Sequence, residues 1–220
     1  MAGTEAQISV SDPASATEAG RLIQLFVHDL RAPLGVATGY LRLLQDGRLG
    51  RDVDQGMALS RTLDALGRIA TLCDSMAENL PDAGPVESGQ LSPQDLLSRV
   101  ASALKPPLQL AGDASWPSEA SIPVGRDGDR FAASVAVLLN AVARRASTAR
   151  LTATANGPAL SLRLTDGDAS RAPVLVPFDP WRGFGLEVVL AYRAIQATGG
   201  LVLGGNGPNL TIDLPLVQHV

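Results

Sequence analysis

Phe26-Val27-His28-Asp29-Leu30-Arg31-Ala32-Pro33-Leu34-Gly35 sets a histidine and an aspartate side by side inside an apolar helical pattern. Phe26 and Leu30 belong to the apolar stripe, and each lies two residues from His28. At about 100° per residue, that offset turns the imidazole about 200° from both, out to solvent. A neutral imidazole nitrogen near pH 7 is a competent nucleophile, and a neighbouring carboxylate can orient it or hold its proton. Pro33 cannot donate to the carbonyl of Asp29, so the helix is expected to loosen or kink one turn past the histidine.

Working outward, residues 20–46 read as one long helix, with apolar residues at 23, 26, 30, 34, 37, 41 and 44 and Asp46-Gly47 as its stop. After Gly50-Arg51-Asp52 a second helix is predicted over 53–79, where Leu59, Leu63, Leu66, Ala70 and Cys73 alternate four and three as in a bundle seam. That places Cys73 in the core. An antiparallel hairpin of two helices cannot bury both faces alone, so a homodimeric four-helix bundle is the physical expectation for residues 20–80.

Hydrophobic residues make up 45% of the chain but aromatics only 4%, so the core must be built from Leu, Val and Ala. A formal charge of −4 leaves no basic footprint for nucleic acid. The single cysteine excludes an internal disulfide and suits a reducing, cytoplasmic setting. The apolar stretch Phe131–Val142 falls short of the ~20 residues of a membrane span and is interrupted by Asn140. Residues 1–19 read as a disordered lead-in without the basic and apolar regions of a signal peptide. No sensory module and no membrane association are expected of this sequence.

Pro81–Gln90, rich in Pro, Gly and Ser, is the expected linker, and from residue 91 to 220 the pattern is mixed. Ser92-Pro93 opens a helix over 93–105, and Gly125–Asp129 is a polar turn before a strongly apolar helix over 129–147. Two β-hairpins are predicted, 149–155 with 159–165 around Asn156-Gly157, and 201–204 with 209–214 around Asn206-Gly207. A helix over 185–197 ends at Gly199-Gly200. Helices on one side of a mostly antiparallel sheet make an α/β sandwich, and the whole chain is α+β.

The opening stretch closely resembles the phospho-acceptor box of two-component sensor histidine kinases: His, an acidic residue, Leu, Arg, a small or polar residue, Pro, Leu. His28, Asp29, Leu30, Arg31, Pro33 and Leu34 match it, and Ala32 is the unusual member. The element order after residue 91 resembles the GHKL-type ATP-binding fold of the same kinases, with uneven motifs. Val137-Leu138-Leu139-Asn140-Ala141 aligns Asn140 with the family's second magnesium-binding asparagine, but Ala136 replaces the first. Ala143 replaces a usual basic residue, and Arg144 and Arg145 follow it. Asp166 matches the adenine-binding aspartate of the first glycine box, where Asp168 and Ser170 replace both glycines. A carboxylate there adds bulk and negative charge facing a polyanionic nucleotide. Val176–Arg182 resembles the segment before the ATP lid, and Gly183-Phe184-Gly185-Leu186 resembles the second glycine box, with little chain between the boxes for a lid.

An intact acceptor helix on an eroded ATP domain resembles the ChpT-type histidine phosphotransferases. The resemblance implies a degenerate histidine-kinase core in a phosphorelay, with His28 exchanging a phosphoryl group with a receiver-domain aspartate of a response regulator. Asp29 would orient the imidazole and hold its proton, and Arg31 would steady the phosphoryl oxygens. Val27, Ala32 and Gly35 are small enough to let a receiver helix approach. An upstream hybrid kinase is the implied phosphoryl source, and the receiver brings its own Mg²⁺, so no metal or cofactor is expected here. Two alternatives stand beside this reading. In an ATP-dependent autophosphorylating kinase core, Asn140, Asp166, Gly183 and Gly185 would hold Mg-ATP. In a non-catalytic receiver- or kinase-binding regulator, His28 would carry no phosphate.

Overall fold

The computed structural model describes residues 13–48, 54–78, 89–105, 108–111, 119–125, 127–146, 148–166, 174–205 and 208–218. The chain divides into two units at Ala77/Glu78.

The first unit is a pair of helices, α1 (Pro13–Gln45) and α2 (Gln55–Glu78). Helix α1 starts at Pro13, earlier than the expected residue 20, and residues 1–12 of the expected lead-in lie outside the described residues. Proline suits such a start, since a first-turn N–H has no intrahelical acceptor. Gly47 (φ 65°) stops the helix in the left-handed region, with Arg48 N–H returning to the Leu43 carbonyl at 3.0 Å. Asp54 Oδ1 accepts from Met57 N–H at 2.6 Å and caps the first turn of α2. The Gly50–Asp52 connection lies outside the described residues. No break appears at Pro33: α1 runs through it as one 33-residue helix, and the proline is buried on the covered face.

The seam between the two helices differs from the predicted one. Leu22, Ala37, Ala58, Thr62, Ala65 and Leu72 are buried, whereas Leu59, Leu63, Leu66 and Cys73 are exposed. The covered stripe of α2 thus lies one residue before the expected stripe, and Cys73 is not in the core of this chain. Both stripes repeat at heptad spacing, so periodicity cannot choose between them. Side-chain size does: Ala58, Thr62 and Ala65 let α1 approach closely, and the Thr62 hydroxyl is satisfied by the Ala58 carbonyl at 2.9 Å. On α1, Ile23, Leu34 and Leu41 of the predicted stripe are likewise exposed.

The second unit runs β1 (Gly89–Leu91), α3 (Pro93–Ala103), β2 (Leu110–Ala111), β3 (Ala120–Gly125), α4 (Gly128–Ala143), β4 (Ala149–Asn156), β5 (Ala159–Asp166), β6 (Val176–Pro177), α5 (Leu186–Ala197), β7 (Leu201–Gly204), β8 (Leu210–Pro215) and β9 (Val217–Gln218). A six-stranded sheet has the order β2-β4-β5-β8-β7-β6, antiparallel except for the β2/β4 pair, and a small antiparallel sheet has the order β1-β3-β9. Gly89 and Gln90, expected in the linker, belong to β1; residues 81–88 lie outside the described residues.

Alternation along the central strands builds the core. Leu151 and Ala153, then Leu160, Leu162 and Leu164, then Leu210, Ile212 and Leu214 are all buried, with Arg150, Thr154 and Arg163 exposed between them. Helix α4 packs against α3 and α5 and joins the same core through Phe131, Val135, Leu138, Leu139 and Val142. Enclosure on several sides explains why its sequence reads as one apolar run. Its start is fixed by Asp127, whose Oδ1 accepts from Asp129 and Arg130 N–H at 2.8 and 3.2 Å. The β4–β5 turn holds Gly157 at φ 57°, and α5 is stopped by Gly199 at φ 81°. The Asn206-Gly207 turn lies outside the described residues.

Candidate functional site

Helix α1 carries His28 away from the stripe it buries against α2, and the side chain is 76% exposed. Its Nδ1 lies 3.0 Å from Asp29 Oδ1. A carboxylate accepts only, so Nδ1 is the donor in this pair, and in the neutral ring the lone pair is on Nε2. The aspartate is the less exposed partner, at 22%, and this holds the ring from the side turned toward the hairpin. The result is an oriented imidazole with its nucleophilic nitrogen on an open surface.

The helical pair holds two concavities, and His28 lines one of them. A shallow hollow of about 380 Å³ is lined by Ile23, Gln24, Val27, His28 and Arg31, which brings the third predicted residue to the same surface as the first. A larger groove of about 610 Å³ runs between the helices, with Ala32, Pro33 and Val36 on one wall and Arg61, Asp64, Ala65 and Arg68 on the other. Ala32 stands one turn beyond His28. The three charged residues of α2 escaped the sequence reading, because a charged helix face ordinarily marks solvent. Their only sequence signal is that they lie opposite the Leu59/Leu63/Leu66 stripe.

The other predicted positions lie in the second unit. Asp166 ends β5 with its backbone opposite Ala149, and residues 167–173 of the first glycine box lie outside the described residues. Gly185 is the N-cap of α5 and supplies no side-chain cap, while Gly183 takes φ 72°. The Gly183 carbonyl accepts from Arg145 Nη2 at 2.6 Å, and the Arg145 guanidinium lies 3.8 Å from the centre of the Phe184 ring. Phe184 packs on Phe178 and Phe178 on Tyr192, with ring centres 5.3 and 5.9 Å apart. Burial, and then the Asp179 carboxylate, raise the Tyr192 phenol above its ordinary value, so it stays protonated at neutral pH.

Asn140 uses both ends of its amide on main chain. Nδ2 donates to the Ala103 carbonyl at 3.1 Å, and Oδ1 accepts from Lys105 N–H at 2.9 Å. Magnesium asks for several hard oxygens near octahedral geometry. Ala136, one turn earlier, is buried and offers none. At this position, then, both polar ends of Asn140 are engaged by main chain and Ala136 brings no oxygen.

No protein-family model and no curated protein sequence matches this chain. Solved structures do. The histidine kinase AdeS of Acinetobacter baumannii is similar over 86% of this chain and 97% of its own, with a TM-score of 0.58 and 19% identity. The histidine kinase ThkA, in complex with the response regulator protein TrrA, is similar over 94% of this chain with a TM-score of 0.58 and 11% identity. Full-length ShkA, in complex with AMPPNP, is similar over 91% of this chain with a TM-score of 0.54 and 19% identity. The chain spans 64% of that ThkA chain and 46% of that ShkA chain. Among the described residues no helix is long and apolar enough to cross a membrane. A helical pair followed by a mixed sheet under covering helices gives this chain the α+β fold of a histidine-kinase core.

Proposed function

We propose that this chain is a histidine phosphotransferase of a two-component phosphorelay, moving phosphoryl groups between His28 and a receiver-domain aspartate. The observation that carries the reading is the exposed imidazole with Nδ1 tied to Asp29 at 3.0 Å. Nε2 attacks the phosphorus of a receiver's phosphoaspartate; the P–N bond forms as the P–O bond to the aspartate breaks, and the aspartate leaves as a carboxylate. Asp29 stabilises the positive charge that develops on the imidazole. Transfer of this kind depends on in-line positioning and charge neutralisation. Arg31, which lines the same hollow as His28, meets the phosphoryl oxygens in this reading.

A second copy of the chain covers Ile23, Leu34, Leu41, Leu59, Leu63 and Leu66, which completes a four-helix bundle. The inter-helix groove with Arg61, Asp64 and Arg68 receives a helix of the response regulator. That ThkA is found with a response regulator supports this class of partner. A hybrid kinase upstream supplies the phosphoryl group, and the cytoplasm is the setting.

Incubation with a phosphorylated receiver tests the proposal. The expected product is acid-labile, base-stable phosphate on the chain, lost in His28→Gln, with transfer reduced at least ~1000-fold, about 4 kcal/mol. Phosphate on the His28→Gln chain, or none on the unsubstituted one, would sink it. The likeness to the histidine kinase AdeS and to ShkA, solved in complex with AMPPNP, favours one competing reading, an autokinase, which labelled ATP would reveal as label on His28.

A further inference from the structure

We infer that Asn140 and Arg145 are structural clasps that tie α4 to the loops on either side of it, and that this surface takes no magnesium nucleotide. Ala103 is the last residue of α3, so its carbonyl has no intrahelical donor. The Asn140 amide supplies one at 3.1 Å, and the same group accepts from Lys105 N–H at 2.9 Å. A carboxamide presents donor and acceptor together, as a neighbouring peptide would, so Asn140 caps α3 from another helix. This accounts for an asparagine among Leu138, Leu139, Ala141 and Val142, all buried. A metal ligand at this position would turn Oδ1 toward the ion; here it faces a main-chain amide.

Arg145 closes the other side. Its guanidinium bonds the Gly183 carbonyl at 2.6 Å and lies 3.8 Å from the centre of the Phe184 ring, just before α5 begins at Leu186. The preceding turn is pinned internally: Trp181 N–H donates to Asp179 Oδ1 at 3.0 Å, and Gly183 N–H to the Trp181 carbonyl at 3.2 Å. Asn140 and Arg145 therefore both have their partners within the fold.

Calorimetric titration of the unsubstituted chain with Mg·ADP is expected to show no saturable heat; saturable binding would overturn the proposal. Asn140→Asp separates the two roles of that residue. A carboxylate remains a good magnesium ligand but cannot donate to Ala103, so the melting temperature is expected to fall by about 5 °C, with or without Mg·ADP. An unchanged melting temperature in that variant would remove the cap. Arg145→Lys keeps the charge and loses the fork and the stacking. Amide exchange at residues 183–188 is expected to quicken about tenfold, and unchanged protection would remove the second clasp. Transfer from a phosphorylated receiver to His28 is read separately, so nucleotide binding would defeat the clasps and leave the relay standing.

Discussion

The two units of this chain meet the same burial problem in opposite ways. In the α/β unit, leucines of β4, β5 and β8 and the apolar faces of α4 and α5 close on one another, so its core is complete within one copy. The helical pair encloses small residues, Ala37, Ala58, Thr62 and Ala65, and leaves larger ones outside, with Leu63 67% exposed. One unit is finished; the other leaves an apolar stripe open. The histidine sits on the unfinished one, so in the proposed relay the phosphoryl chemistry and subunit association share a single element. The finished unit spends its polar residues, Asn140 and Arg145, on holding itself together.

This contrast can be broken by experiment. Leu139→Ala removes a fully buried side chain of α4 and should cost about 2–5 kcal/mol, lowering the melting transition of the α/β unit and sparing that of the hairpin. A single transition moving as one would show that the units are not independent. Leu63→Glu puts a charge on the open stripe; a loss of about 2–4 kcal/mol, or 30- to 1000-fold in dimer affinity, is expected by sedimentation. If the variant sediments like the parent chain, that stripe is not an interface.

Smaller changes sharpen the same contrast. Asp29→Asn keeps the shape of the acceptor site but removes the charge that favours the imidazolium. Transfer from a phosphorylated receiver should slow about tenfold, about 1.4 kcal/mol, with the oligomeric state unchanged. Equal rates would strip Asp29 of its role. The slightest effect is expected in the sheet. Ser161 is 1% exposed, and among the described residues its hydroxyl has no hydrogen-bond partner. Ser161→Ala should therefore raise stability by up to about 1 kcal/mol in denaturant titration, and a loss of that size would mean the hydroxyl is satisfied by ordered water.

Much of the fold was legible because local chemistry decided it. Ser92-Pro93 starts α3, with Ser92 Oγ accepting from Asp95 N–H at 3.1 Å, because a cap and a first-turn proline act within four residues. The β4–β5 hairpin follows from Asn156-Gly157 for the same reason. The strands β1, β2, β6 and β9 were not predicted, since two or three residues cannot display a period. Strand β3 was not predicted either; it contains Pro123, which lies opposite Gln90 of β1. At the candidate site, His28, Asp29 and Arg31 were readable because all three lie on one helix. Arg61, Asp64 and Arg68 were not, because their groove exists only once α2 lies beside α1.

By itself the sequence determined the helix with its outward histidine, the carboxylate beside it, the hairpin turns and the α+β class, all governed by spacing of a few residues. Only the tertiary structure decided which of two equally periodic stripes the hairpin closes on, because side-chain volume at the helix contact settles what periodicity leaves open. It also decided what Asn140 does, since its partners, Ala103 and Lys105, lie 37 and 35 residues away in the chain, and only the packing of α3 on α4 brings them within hydrogen-bond reach.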